Sequence, residues 1–206
     1  MVQLECFFDC SSPWTYLGFH NIQPLAAELG VDIDWRPILV GGVFNAVNPS
    51  VYASREHPVP AKVAYQGKDL ADWARLAGLR IKLRPSIFPI NSVKAMRACL
   101  VAQEQDRLVP LATLCFEAYW GDDRDIADDK VLSELIARAD LNADRVMQRI
   151  ADPAIKDRLK ANTQELIDRG GFGSPTFFVE REDMYFGNDR MPLIRDAVQR
   201  AQAVSQ

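Results

Sequence analysis

The sequence predicts an α/β protein in which one small mixed sheet, built from both ends of the chain, carries a long helical block inserted between them. Three observations predict it: a strand–helix–strand pattern over residues 2–38, helical periods that dominate residues 68–169, and a strand–turn–strand–helix pattern from residue 170 onward. With 206 residues, 48% of them hydrophobic, the chain is long enough to bury one sizeable core, which excludes a disordered or fibrous protein.

Residues 2–9 alternate and then thicken into Phe7 and Phe8, the pattern of a strand with a buried face. Ser11-Ser12-Pro13 follows, and Trp14, Leu17, Ile22, Leu25 and Leu29 recur at near-helical spacing up to Gly30, a C-cap that precedes a second strand over residues 31–38. Residues 43–67, with their Asn, Ser and prolines around His57, read as an irregular loop. Helical patterns are expected over 68–77, 91–105, 109–120, 128–139, 143–150 and 153–169, each bounded by Gly, Pro or an Asx or Ser cap. Gly170 to Pro175 then leads into a hairpin with a charged turn at 180–183 and an amphipathic helix from Asp189 to about Val204. The expected organisation is a discontinuous domain, residues 1–42 and 170–206, with residues 43–169 inserted as a loop and a helical block whose last helix returns to the core.

Composition narrows the function. A net charge of −4, from 24 Lys and Arg against 28 Asp and Glu, supplies no basic field, so neither nucleic acid nor an anionic membrane is an expected partner. The start Met1-Val2-Gln3-Leu4-Glu5 shows no basic leader, and no apolar run is long enough to span a bilayer, so a cytoplasmic protein is expected. Cys6, Cys10, Cys99 and Cys115 form no C-x-x-C pair, so neither a zinc knuckle nor a dithiol centre is written, and His20 and His57, the only histidines, leave metal-site and Ser-His-Asp chemistries very few candidate ligands or bases.

Two segments carry the candidate chemistry. Ser12 before Pro13 is a natural N-cap, and the unpaired N–H groups of the helix turn behind it favour an anion such as a thiolate or carboxylate. Taken alone, Ser-Pro is also an ordinary way to begin a helix. The second segment is Gly173-Ser174-Pro175-Thr176, directly before a strand, where the proline removes a ladder donor. Cys10 borders the first segment, and as a lone cysteine after a strand it reads as an inert buried residue.

A strand, a helix opened by Ser12-Pro13-Trp14-Thr15, an inserted helical block, and Gly-Ser-Pro-Thr before a ββα finish resemble the DsbA-like branch of the thioredoxin superfamily. Within it, Ser-Pro-aromatic at the helix start, Phe88-Pro89-Ile90-Asn91-Ser92 and Phe186-Gly187-Asn188-Asp189-Arg190 are similar to the family of 2-hydroxychromene-2-carboxylate isomerases and kappa-class glutathione transferases. The resemblance spans nearly the whole chain. It implies a thioredoxin-like α/β fold with an inserted all-helical domain, and a homodimer that uses glutathione on a small aromatic substrate. It also implies that Ser12, standing where a redox member carries its attacking cysteine, donates a hydrogen bond to the glutathione sulfur, while Thr15 stands where the second cysteine would be. Pro175 matches a cis-proline that frees the Ser174 backbone to pair with the cysteinyl moiety; a plain pre-strand proline is the alternative. Asn188 and Asp189 match residues that hold the γ-glutamyl end, a role compatible with capping the last helix. Lys62 and Asn48 fall near positions that hold the glycyl carboxylate, with a solvated side chain the more common fate of any lysine. Arg190 pairs with Asp189, meets the ligand or faces solvent.

Trp14, Phe88 and Asn91 are expected where the inserted helices meet the first βα turn, as a pocket for an aromatic acid, with core packing as the other account of the two rings. Trp73, Tyr119 and Trp120 read as core, and His57 has no expected role in catalysis. Three functions remain open on the sequence: a glutathione-dependent isomerase of the hydroxychromene-carboxylate type acting in aromatic hydrocarbon breakdown, a kappa-like transferase, and a non-catalytic thiol- or peptide-binding domain. No metal is expected in any of them.

Overall fold

The computed structural model describes residues 2–204; Met1, Ser205 and Gln206 lie outside the described residues. Strand β1 (Leu4–Phe8) runs parallel to β2 (Ile33–Pro37) on one side and antiparallel to β3 (Thr176–Val179) on the other, and β3 pairs with β4 (Asp183–Phe186). The order β2-β1-β3-β4 makes the two chain ends neighbours in one sheet, as the pattern of elements predicted, in the thioredoxin-like arrangement that the resemblance implied. Every residue of the central strand β1 is buried, because it has strand neighbours on both edges and helices over its faces.

Helix α1 (Pro13–Leu29) begins where expected. The Ser12 side chain accepts from the Thr15 N–H, Pro13 occupies the first turn, and Gly30 closes the helix at φ 65°. The helical block comprises α5 (Val93–Gln103), α6 (Leu108–Phe116), a π turn at Glu117–Gly121, α7 (Asp129–Arg138), α8 (Ala143–Arg149) and α9 (Pro153–Asp168). Helix α10 (Met191–Val204) ends the described chain. Among the described residues no helix is long and apolar enough to cross a membrane.

Residues 43–67 are not an irregular loop. They form most of α2 (Val40–Val47), all of α3 (Ser50–Glu56) and the first turns of α4 (Pro60–Ala77). The prolines that suggest a loop sit where helices tolerate them: Pro49 caps α3 and Pro60 opens α4. Helix α3 buries none of its residues, so it writes no apolar period into the sequence. A second correction concerns the last helix, whose first turn hangs from the Arg190 carbonyl, which accepts from the Ile194 N–H at 3.0 Å. Asn188 and Asp189 therefore precede the helix, which opens at Met191 with Pro192 in its first turn.

The return of α9 to the sheet is held by polar contacts. Glu5, 1% exposed in the middle of β1, accepts from Arg169 at 2.6 and 3.2 Å and from Arg36 at 3.4 Å. The Arg169 guanidinium also lies 3.8 Å from the centroid of the Phe178 ring. On the same helix, Asn162 donates to the Pro37 carbonyl at 3.0 Å and Thr163 Oγ1 accepts from the Leu39 N–H at 3.0 Å, which fixes the corner between β2 and α2.

Candidate functional site

A cleft of about 1200 Å³ opens where the first βα turn, the loop before β3, the segment after β4 and the α2–α4 arm converge. Ser12 lies on its wall. Its Oγ accepts from the Thr15 N–H at 3.2 Å, so the hydroxyl proton remains to be donated into the cleft. No acidic side chain occupies the first turn of α1, so none of the helix's own residues offsets its positive end toward an anion.

The loop opposite is locked to this turn. Thr15 Oγ1 and Ser174 Oγ are 2.8 Å apart, a contact between residues 159 positions distant in sequence. The Ser174–Pro175 peptide is cis, as the resemblance implied, and pairing of β3 with β1 begins only at Thr176 opposite Phe7. Ser174 is thus left outside the ladder, with its hydroxyl against Thr15 and both it and Ser12 on the cleft wall. The close approach needs Gly18: a Cβ there would stand 2.7 Å from Pro175 Cγ.

Asp9, at the end of β1, is 1% exposed on the cleft wall. Its carboxylate accepts from the Ser11 and Val40 N–H groups, both at 2.9 Å, and so ties the Ser12 turn to the start of α2. Burial pushes its carboxyl up from the ordinary range, against the opposing pull of hydrogen bonds from Ser11, Val40 and Ser92. The chain offers no thiol of its own here. All four cysteines are buried, and burial drives the Cys10 thiol well above its usual value, with Cys99 and Cys115 against it.

Of the residues singled out from the sequence, Ser12, Trp14, Asn48, Phe88, Asn91, Ser174, Pro175, Asn188, Asp189 and Arg190 all line this one cleft. Lys62 does not; it is exposed on α4, next to the cleft-lining Val63. Phe88 is 54% exposed, so core packing does not account for it, and its bond to Pro89 is cis. Asn48 donates to the Phe172 carbonyl at 3.1 Å and accepts from Ser50 at 2.7 Å, which engages both ends of its amide within the wall. Asp189 pairs with Arg190 at 3.0 Å. Asn188 is 5% exposed and its Nδ2 has no hydrogen-bond partner, an orphaned donor at the cleft that suits a polar ligand.

Other cleft residues escaped the sequence reading. Trp120 is buried as expected, but it also forms part of the cleft wall and donates from Nε1 to the Cys10 carbonyl at 3.0 Å, bracing the turn that carries Ser12. Trp73 lines the cleft half-buried instead of sitting in the core. Tyr52 and Arg55 reach the cleft from α3, a helix with no apolar stripe to reveal it. Asp9 had a legible signal, an acid directly after the apolar run Cys6-Phe7-Phe8.

A family model described as the DSBA-like thioredoxin domain matches residues 3–199. The chain belongs to the DSBA-like thioredoxin family. This DSBA-like protein is 29% identical over 202 residues to 2-hydroxychromene-2-carboxylate isomerase of Pseudomonas sp. (strain C18), covering 96% of this chain and 91% of that protein. It is 26% identical over 212 residues to glutathione S-transferase kappa 1 of Caenorhabditis elegans, covering 97% and 92%. A solved structure of 2-hydroxychromene-2-carboxylate isomerase superposes with a TM-score of 0.82 at 22% identity, over 98% of this chain and 97% of the other, and that likeness shows the shared fold. These relatives are isomerases and transferases, and the DSBA-like chain is an enzyme of this superfamily. It departs from the dithiol pattern at both positions, with Ser12 and Thr15 where two cysteines would stand.

Proposed function

We propose that the chain is a glutathione-dependent isomerase that converts 2-hydroxychromene-2-carboxylate to trans-o-hydroxybenzylidenepyruvate. The observation that carries this reading is the Ser12 hydroxyl at the start of α1, whose first turn holds no acid, in one cleft with a cis-proline and with no cysteine of the chain on the cleft wall. A site that stabilises an anionic sulfur without supplying one calls for a sulfur that arrives with a ligand. The isomerase relatives, matched along almost their whole length, support the isomerisation; the kappa transferases, matched over a similar length, keep conjugation as the second reading.

Glutathione would supply the thiolate, whose reversible addition turns a double bond into a rotatable single bond. The chain's residues do the rest. Ser12 donates its hydroxyl proton to the sulfur, and the helix end adds positive potential; both lower the thiol pKa and raise its nucleophilic fraction near neutral pH. The Ser174 backbone, released from the sheet, pairs with the cysteinyl unit. Asn188 offers its orphaned amide N–H to the γ-glutamyl end, and the Asp189 carboxylate takes the ammonium. Lys62, exposed on α4 next to the cleft-lining Val63, is assigned to the glycyl carboxylate together with Asn48 on the cleft wall. Trp14, Phe88 and Asn91 receive the aromatic ring.

The test is an assay of purified protein with glutathione and the hydroxychromene carboxylate. Loss of substrate absorbance with no net consumption of thiol is the expected result. Stoichiometric thiol loss onto an electrophile instead would make the chain a kappa-like transferase, and no glutathione binding in calorimetry would leave only a non-catalytic binding domain.

A further inference from the structure

Two cationic side chains line the cleft, and they differ in one respect. Arg190 is committed to Asp189 at 3.0 Å, whereas Arg55 forms no ion pair among the described residues. Its guanidinium stands 5.3 Å from the centroid of Phe88 and 5.9 Å from that of Tyr52. The Tyr52 ring is itself fixed, through a hydroxyl that donates to Asn45 at 2.8 Å. Of the cleft's acids, Asp9 is engaged by backbone N–H groups, Asp189 by Arg190, and Asp69 on α4 makes no ion pair with Arg55.

A guanidinium resting on ring faces keeps its in-plane N–H fork free, the geometry that grips a carboxylate with two parallel bonds. A ligand that covers such a cation must bring negative charge, or leave the cation desolvated and unpaired. We infer that Arg55 is the specificity-determining residue for the substrate's carboxylate, with the substrate's aromatic ring against Phe88. The inference rests on the function proposed above and assigns that site's acid anchor. Glutathione carries a carboxylate of its own at the glycyl end, but the ring that supports Arg55 is Phe88, part of the apolar wall and not of the polar Ser174–Asp189 side.

The experiment titrates trans-cinnamate and cinnamamide, equal in ring and alkene but differing in charge, against the protein by quenching of its tryptophan fluorescence, with and without saturating glutathione. The unaltered chain is expected to prefer cinnamate by about tenfold or more, the scale of one charge-assisted bond. Arg55→Met should abolish that preference while Arg55→Lys keeps part of it, and neither should change the glutathione Kd, read by calorimetry, by more than about twofold. Arg55 is exposed and buries no core surface, so truncation leaves folding intact. An unaltered chain without preference for cinnamate, or an Arg55→Met variant that keeps it, overturns the inference. A roughly tenfold loss of glutathione affinity in Arg55→Met overturns it too, by assigning the cation to the glycyl end. Failure of the functional reading shows separately, as absence of glutathione binding to the unaltered chain, and the cinnamate comparison without glutathione still reads Arg55 in that case.

Discussion

Replacing Gly18 by alanine tests how tightly the first helix governs the site. Gly18 is buried in the second turn of α1, where alanine is intrinsically favoured by about 1 kcal/mol. The added Cβ would lie 2.7 Å from Pro175 Cγ, 3.2 Å from Pro175 Cβ and 3.4 Å from Phe177 Cζ. Carbon atoms in contact want about 3.5 Å, so the proline ring must retreat by roughly 0.8 Å. A shift of that size applied to the 2.8 Å contact between Thr15 and Ser174 breaks it as a hydrogen bond. Overpacking costs about 1–3 kcal/mol and the lost buried bond about 1 kcal/mol, which together outweigh the helical gain. The expected result is a net destabilisation of about 1–3 kcal/mol by urea denaturation, with glutathione binding weakened about tenfold in calorimetry because Ser174 has moved. A variant stabilised by the full helical preference, with unchanged binding, would refute the claim that α1 positions the cis-proline loop.

Ser12→Ala should lower turnover about 10- to 100-fold while leaving the glutathione Kd nearly intact, since one charge-assisted bond to sulfur is lost and the other contacts remain. Its activity profile should move to higher pH, because the bound thiol loses a donor that favoured its ionised form; an unmoved profile would remove Ser12 from the chemistry. Glu5→Gln leaves the half-buried Arg169 without its main partner, and urea unfolding should register a loss near the low end of the roughly 3–5 kcal/mol typical of broken buried pairs, as Arg169 retains Glu165. A change below about 1 kcal/mol would mean that this pair does not secure α9. Asp123 receives bonds from Lys82 and from the Ser86 hydroxyl and N–H, which lower its carboxyl to about 2. Its tether of residues 82–86 is therefore complete above the unfolded value of about 4 and fades as pH falls toward 2, which the Ser86 amide resonance should follow. A midpoint near 4 would contradict that coupling.

Legibility divides along a physical line. Elements that bury a face on the core wrote their period into the chain: β1, α1 and the helices from α5 to α9 appear close to their expected bounds. The N-cap at Ser12 and the C-cap at Gly30 are satisfied within a few residues, and they stand where local pattern puts them. Helix α3 buries nothing, so its ordered surface and the Tyr52–Arg55 pair on it left no trace. Trp73 and Trp120 carry the same ring and both read as core; packing leaves one half-buried on the cleft wall and seals the other beneath the Ser12 turn.

By itself, the sequence determined which chemistry the site lacks and where its two halves begin: hydroxyls at 12 and 15 in place of thiols, and a Ser-Pro pair before the third strand. Those are properties of residue type and of neighbours a few positions away, and they hold in any conformation. Only the tertiary structure decided that the halves meet through Thr15 and Ser174, that Arg55 faces the cleft without a countercharge, and that Asn188 keeps an unused donor. Such facts depend on distances between residues far apart in the chain and on which polar groups find partners when water is expelled, and local periodicity encodes neither.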